Sequence, residues 1–208
     1  MPVTITGFET KEKTAIKHIN DVLFVTWPVS NNIRGRLILN LSNEKPLFQS
    51  IDLIDAATVT NIVKNVDPVF LLTVGKRDLV SQNGWNIFFD KVPLKPFTSH
   101  KLVLDKRAVA VRRVATRTII TIGKVSAPFF EGNLSITLYD QTALFNVAAV
   151  VSTAKDSTAI IYDAGLVSHE MAWDNISWAN VYDTIKTLHP SFNDTAINEA
   201  VKYRTIIG

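Results

Sequence analysis

The stretch Glu131–Leu166, EGNLSITLYDQTALFNVAAVVSTAKDSTAIIYDAGL, decides the fold. Leu134, Ile136 and Leu138 alternate with Asn133, Ser135, Thr137 and Tyr139, so a strand here buries one face and wets the other. Asp140-Gln141-Thr142 then suits a short hairpin connection. The next run, Leu144 to Val151, is apolar except for Asn146, which predicts a strand covered on both sides in the middle of the core. Lys155-Asp156-Ser157 supplies a further turn. Ala159 to Tyr162 predicts a third strand that leaves at Asp163-Ala164-Gly165, where glycine tolerates a sharp exit.

Upstream the same period of two recurs. Val3 to Phe8 alternates. Val22 and Phe24 oppose Leu23, Val25 and Trp27, so both faces of that strand read as covered, and Pro28 marks its end or a sheet edge. Leu37, Leu39 and Leu41 alternate with Ile38 and Asn40, and Leu47 to Leu53 continues in kind. Turns fall about every 8 to 12 residues, as in a sandwich or barrel. Ala56 to Val66 fits helical spacing but is rich in β-branched residues, and Asp67-Pro68 is expected to stop it. Val69 to Val74, Gly84 to Asp90, Val103 to Val114 and Thr116 to Ile122 read as further strands.

The tail reads differently. Trp178, Val181, Tyr182, Ile185 and Leu188 share one helical face, so a helix capped by Ser177 and ended by His189-Pro190 is predicted. Asp194 is expected to cap a second short helix through Ala200, before a last strand, Val201 to Ile207. The fold class expected is therefore all-β, an antiparallel β-sandwich with one or two short C-terminal helices. The chain of 208 residues is long enough to bury roughly 70% of its extended surface. Residues 1–208 are read as one domain, since all-β units often run to ~200–250 residues. A strand finishing one residue before Gly208 also fits a fragment of a longer chain.

Composition narrows the function classes. Apolar residues at 47% and charged residues at 20% argue for a packed globule over disorder. The net charge of +3 is too small and too diffuse for a nucleic-acid partner. In the densest basic cluster, Lys106, Arg107, Arg112, Arg113 and Arg117, Arg112 is expected to face solvent and Arg113 to face inward or an edge. The absence of cysteine excludes disulfides, thiolate catalysis and cysteine-ligated metal. No apolar run approaches the ~18 residues of a helical membrane span. No leader is visible, which points to the cytoplasm, or to the periplasm or secretion if a leader has been removed.

His18, His100, His169 and His189 lack metal-ligand spacing, and the nucleotide-loop and serine-elbow patterns are missing, so neither a metal nor a cofactor is expected. The nearest approach to a catalytic cluster is His169-Glu170, with Trp173 and Asp174, just past the central stretch. The plainer reading is a polar loop. Asp90, Asp105 and Asp163 each follow a strand; a hydrolytic pair needs carboxyls ~5–10 Å apart, and an Asx-turn role is the alternative. Trp27 and Trp85 read as core. Trp173 and Trp178 are the candidates for stacking on a sugar face, with a lid over the core as the other reading.

The segment FFEGNLSITLYDQTALFNVAAVVSTAKDSTAIIYDAGL, with LLTVGKRDLV and GWNIFFD, resembles the N-terminal β-rich region of bacterial polysaccharide-degrading proteins, which has a galactose-mutarotase-like or β-supersandwich fold. The resemblance covers about half the chain. It implies two broad sheets whose concave face meets a polysaccharide, and further domains beyond Gly208. It carries over no catalytic residue. The expectation is an accessory, non-catalytic domain of a carbohydrate-active protein. The alternatives are a glycoside hydrolase, lyase or epimerase in its own right, and a structural or adhesive sandwich working through its edges.

Overall fold

The computed structural model describes residues 3–6, 14–76, 96–168, 170, 173–191 and 194–207. Its strands are β1 (Val3–Thr6), β2 (Ala15–Ile19), β3 (Val22–Pro28), β4 (Ile33–Asn40), β5 (Phe48–Asp55), β6 (Thr58–Lys76), β7 (Phe97–Lys101), β8 (Val103–Val114), β9 (Arg117–Ala127), β10 (Phe130–Tyr139), β11 (Phe145–Ser152), β12 (Thr158–Ser168), β13 (Ile176–Asn180), β14 (Ile185–Leu188) and β15 (Val201–Ile207). No helix occurs among the described residues, so none is long and apolar enough to cross a membrane.

The first sheet runs β1-β8-β9-β10-β11. Leu134, Ile136 and Leu138 of β10 are fully buried, as their alternation predicts, and face a core shared with Ile120 and Ile122 of β9 and Val109 and Val111 of β8. Gly123 sits at a register irregularity between β8 and β9 with φ of 47°, and a Cβ there would run into the Asp105 carbonyl. Burial steps from Ile122 to Val125 across this bulge, which keeps β9 facing inward at both ends. One pairing departs from the antiparallel expectation: β1 joins β8 in parallel, Val3 opposite Val109.

β11 corrects a second expectation. It is an edge strand, not a central one. Phe145, Val147, Ala149 and Val151 pack on the core, while Val150 on the other face is 61% exposed and Leu144, just before the strand, lies in solvent. Small or apolar residues at the outward positions Ala148 and Val150 hide the period of two and make an edge look like a centre.

The second sheet runs β12-β6-β5-β4-β3-β2, and β7 also pairs with β6. Its spine is the 19-residue β6, which continues straight through Pro68 instead of stopping there. Residues Thr58 to Val66 pair with β5; Leu71 to Gly75 pair with β7, and Val66 to Lys76 with β12. Pro68 pairs with Leu166 of β12 on one side and on the other falls in the gap between β5 and β7, where its missing N–H is not called for. Asn65, three residues earlier, has φ of 55°.

In a third, small sheet, β14-β13-β15, the hairpin β13-β14 replaces the predicted helix that Ser177 was to cap, and β15 is the last strand as predicted. Trp178 pairs with Lys186 and Ala179 with Ile185 across a hairpin. Its turn is held by the Asn180 side chain, whose Oδ1 accepts the Tyr182 and Thr184 amides at 2.9 and 3.0 Å, with Asp183 at φ of 61°. The helical spacing was coincidental: Val181, Tyr182 and Ile185 are exposed at or beside the turn and form no buried stripe. Asp194 to Ala200 also takes no regular structure.

Both large sheets contribute to one core. Trp27 is its largest buried side chain; its indole N–H donates to the Thr142 carbonyl at 2.9 Å and its ring meets Phe145 edge-on. Opposite it on β4, Gly35 is required, because a Cβ would occupy the space of the Trp27 ring. A polar clasp ties the sheets at another point. Lys106, buried at the β8 irregularity, donates from Nζ to the Lys45 carbonyl, and its backbone N–H donates to Asn43 Oδ1 at 2.9 Å. Burial pulls the Lys106 ammonium down from its ordinary value, against the attraction of Asp67.

Candidate functional site

Of the residues singled out in the sequence, His169, Trp85 and Asp90 lie outside the described residues. Glu170 is exposed in a local turn, where its backbone N–H donates to Ser168 Oγ and its carbonyl accepts from the same hydroxyl. Trp173 is half-buried and packs against the main core. Trp178 is half-buried in β13, with its indole nitrogen buried and lacking a hydrogen-bond partner. Asp105 binds Arg107 and Asn43, and the Arg107 hydrogen bonds hold its carboxyl well below the usual carboxylate range. Asp163 is exposed midway along β12. The three carboxylates sit on separate stretches of chain, Asp105 in β8, Asp163 in β12 and Glu170 two residues past the end of β12. Among the described residues no group of three or more histidines and carboxylates could hold a metal ion.

Two other polar groupings are satisfied internally. Arg113, as expected, turns away from solvent, donating to both oxygens of Asp140, while Arg112 is exposed. Asp52, across from Arg36 on the second sheet, accepts from Arg36 Nε at 2.8 Å, from Asn61 Nδ2 at 2.8 Å and from Ser50 Oγ. Burial pushes the Asp52 carboxyl up, but hydrogen bonds from Ser50, Asn61 and Arg36, with the Arg36 charge, outweigh it and leave the group below its ordinary value. An ionised carboxylate with so many donors has no proton to give and little basicity, so its role is to hold three strands together.

The feature with the shape of a binding site lies where strand ends of the second sheet meet two turns. A cleft of about 530 Å³ is lined by the end of β6 and start of β7 (Lys76, Phe97, His100), the β9–β10 turn (Pro128, Phe129) and the β11–β12 turn (Lys155, Asp156). Phe97 is 52% and Phe129 67% exposed, more than a large aromatic ring needs to be. Lys155 Nζ lies 4.4 Å from the centre of the Phe129 ring.

Phe129 is also in the wrong place for a phenylalanine. Phe130 pairs with Ala127, so Pro128-Phe129 is a two-residue loop, and Phe129 has φ of 69°. A proline followed by a left-handed residue is the pattern of a type II turn, in which glycine or asparagine is the comfortable second residue. A left-handed conformation costs an L-residue roughly 1–2 kcal/mol. Among the eight described non-glycine residues with positive φ, Phe129 is the one aromatic. The backbone conformation at this loop thus favours glycine, while the side chain it carries is a large ring facing solvent.

Neither Phe97 nor Phe129 is singled out by strand periodicity. A signal for Phe129 does exist in the sequence: a Pro-Phe pair at the centre of a hairpin, with the ring where glycine belongs. No protein-family model matches the chain, and no curated protein matches it either.

Proposed function

We propose that this chain is an accessory, non-catalytic β-sandwich of the supersandwich type, belonging to a carbohydrate-active protein, and that it binds a glycan in the Phe97–Phe129 cleft. The observation carrying this reading is Phe129: a solvent-facing ring on a strained backbone at the rim of a cleft. Flat aromatic faces take up the apolar C–H patches of sugar rings, and two such rings on one cleft supply the contact without any moving part. The described lining has one carboxylate, Asp156, where glycoside hydrolysis uses two, which favours binding over turnover. The edge-pairing alternative is weakened by Asp163, an exposed charge in the middle of the edge strand β12.

Affinity electrophoresis through gels containing neutral and acidic polysaccharides tests the reading. Retardation in at least one gel, abolished by Phe129→Gly, is expected. Migration unchanged in every gel would refute it.

A further inference from the structure

The charges around the cleft carry a further step, which rests on the glycan-binding reading. Lys76 at the end of β6 and Lys155 in the β11–β12 turn both line it, with His100 beside them. The opposing carboxylate, Asp156, is turned to its own backbone, accepting the Ser157 N–H at 2.6 Å through Oδ1. The Lys155 ammonium makes no ion pair or hydrogen bond among the described residues; its one described contact is the Phe129 ring. A ring face restrains a flexible lysine without consuming its three N–H donors, so the charge is placed and still able to bind. Most surface lysines are mobile and lose much rotamer freedom on pairing; this one has already lost part of it.

We propose that the cleft selects an anionic glycan. A carboxylate or sulfate on the sugar pairs with Lys155, Lys76 adds to the attracting field, and the apolar face of the ring lies against Phe97. The restrained cation also accounts for the placing of Phe129, whose ring orients Lys155 as well as lining the cleft.

The test compares each acidic polymer with its own neutralised form in affinity gels: polygalacturonate and alginate against their carboxyl-reduced derivatives, and chondroitin sulfate against its desulfated chain. Binding is expected to weaken about tenfold or more on neutralisation, as for loss of one charge-assisted hydrogen bond. Carboxyl reduction and desulfation separate the two sources of charge. Lys155→Gln is expected to weaken the acidic form about tenfold and leave the neutral form unchanged. Lys17→Gln, on the exposed β2 at the far edge of the second sheet, controls for general polyanion attraction and is expected to change nothing. Equal binding of acidic and neutral forms would overturn the anionic preference while leaving glycan binding intact. Binding lowered equally by Lys155→Gln and Lys17→Gln would reduce the effect to nonspecific charge and overturn the site. Absence of binding to every polymer would overturn both readings.

Discussion

Trp27 and Phe129 are both large aromatics close to a chain reversal, yet the surroundings of each ring are opposite. Around Trp27 everything is complementary: the ring is 2% exposed, its N–H has an acceptor, Phe145 meets it edge-on, and the neighbouring strand supplies glycine where it needs room. Around Phe129 the backbone is strained, two thirds of the residue faces water, and its described ring contact is a cation. The first region is consistent at every level, as a foldable core should be. The second carries local strain, with an exposed cation–π contact as the described return.

The contrast can be broken most decisively at Trp27. Trp27→Ala is expected to lower the unfolding free energy by about 3–5 kcal/mol, measured by urea denaturation. A loss below ~1 kcal/mol would mean that the two-sheet core does not depend on that ring.

A smaller effect is expected for Asp52→Ala, about 1–3 kcal/mol at neutral pH, because Arg36, Asn61 and Ser50 lose their shared acceptor. The folded carboxyl lies below its unfolded value, so its contribution is present above the unfolded pKa of about 4 and is lost as pH falls through the folded one. The stability gap between the two proteins should narrow with acid below about pH 4; a gap that widens would contradict this assignment.

At the cleft the ledger reverses. Phe129→Gly relieves the left-handed strain and loosens the unfolded chain by similar amounts, so its thermal unfolding should correspond to a change within about 1 kcal/mol of zero. A drop approaching that of Trp27→Ala would make Phe129 a core residue after all and erase the distinction. Smallest of all, Lys155→Gln should shift stability by no more than about 0.5 kcal/mol in the same assay, as expected of an exposed side chain without an ion pair.

Much of this architecture was legible in residue order. Alternation at Leu134, Ile136 and Leu138 identified a half-buried strand, Trp27 read as core, and Arg113 and Arg112 fell on the faces their neighbours imply. What resisted reading has physical reasons. In β11 the outward positions Ala148 and Val150 are apolar, so burial and sequence period part company there. In β13 and β14 a side-chain-held turn brings strands together under a helical spacing that never becomes a buried face. At Pro68 the usual penalty depends on a neighbour that happens to be absent, which no local window reveals. The cleft was the least legible part, because two turns and the ends of two strands, distant in sequence, meet there and neither aromatic lies where periodicity directs attention.

The handover at Pro68 has one more consequence. β6 takes part in three ladders, and those with β5 and β12 share a single residue, Val66. Its first half is tied to β5, and its second to β7 and β12. A strand linked in this way need not open as a unit: deuterium entering at Thr60 reports the melting of one partnership, and at Leu72 that of another. The end of β6 nearest the cleft is thus tied to different partners from the half that forms the hairpin with β5, and the two can open separately.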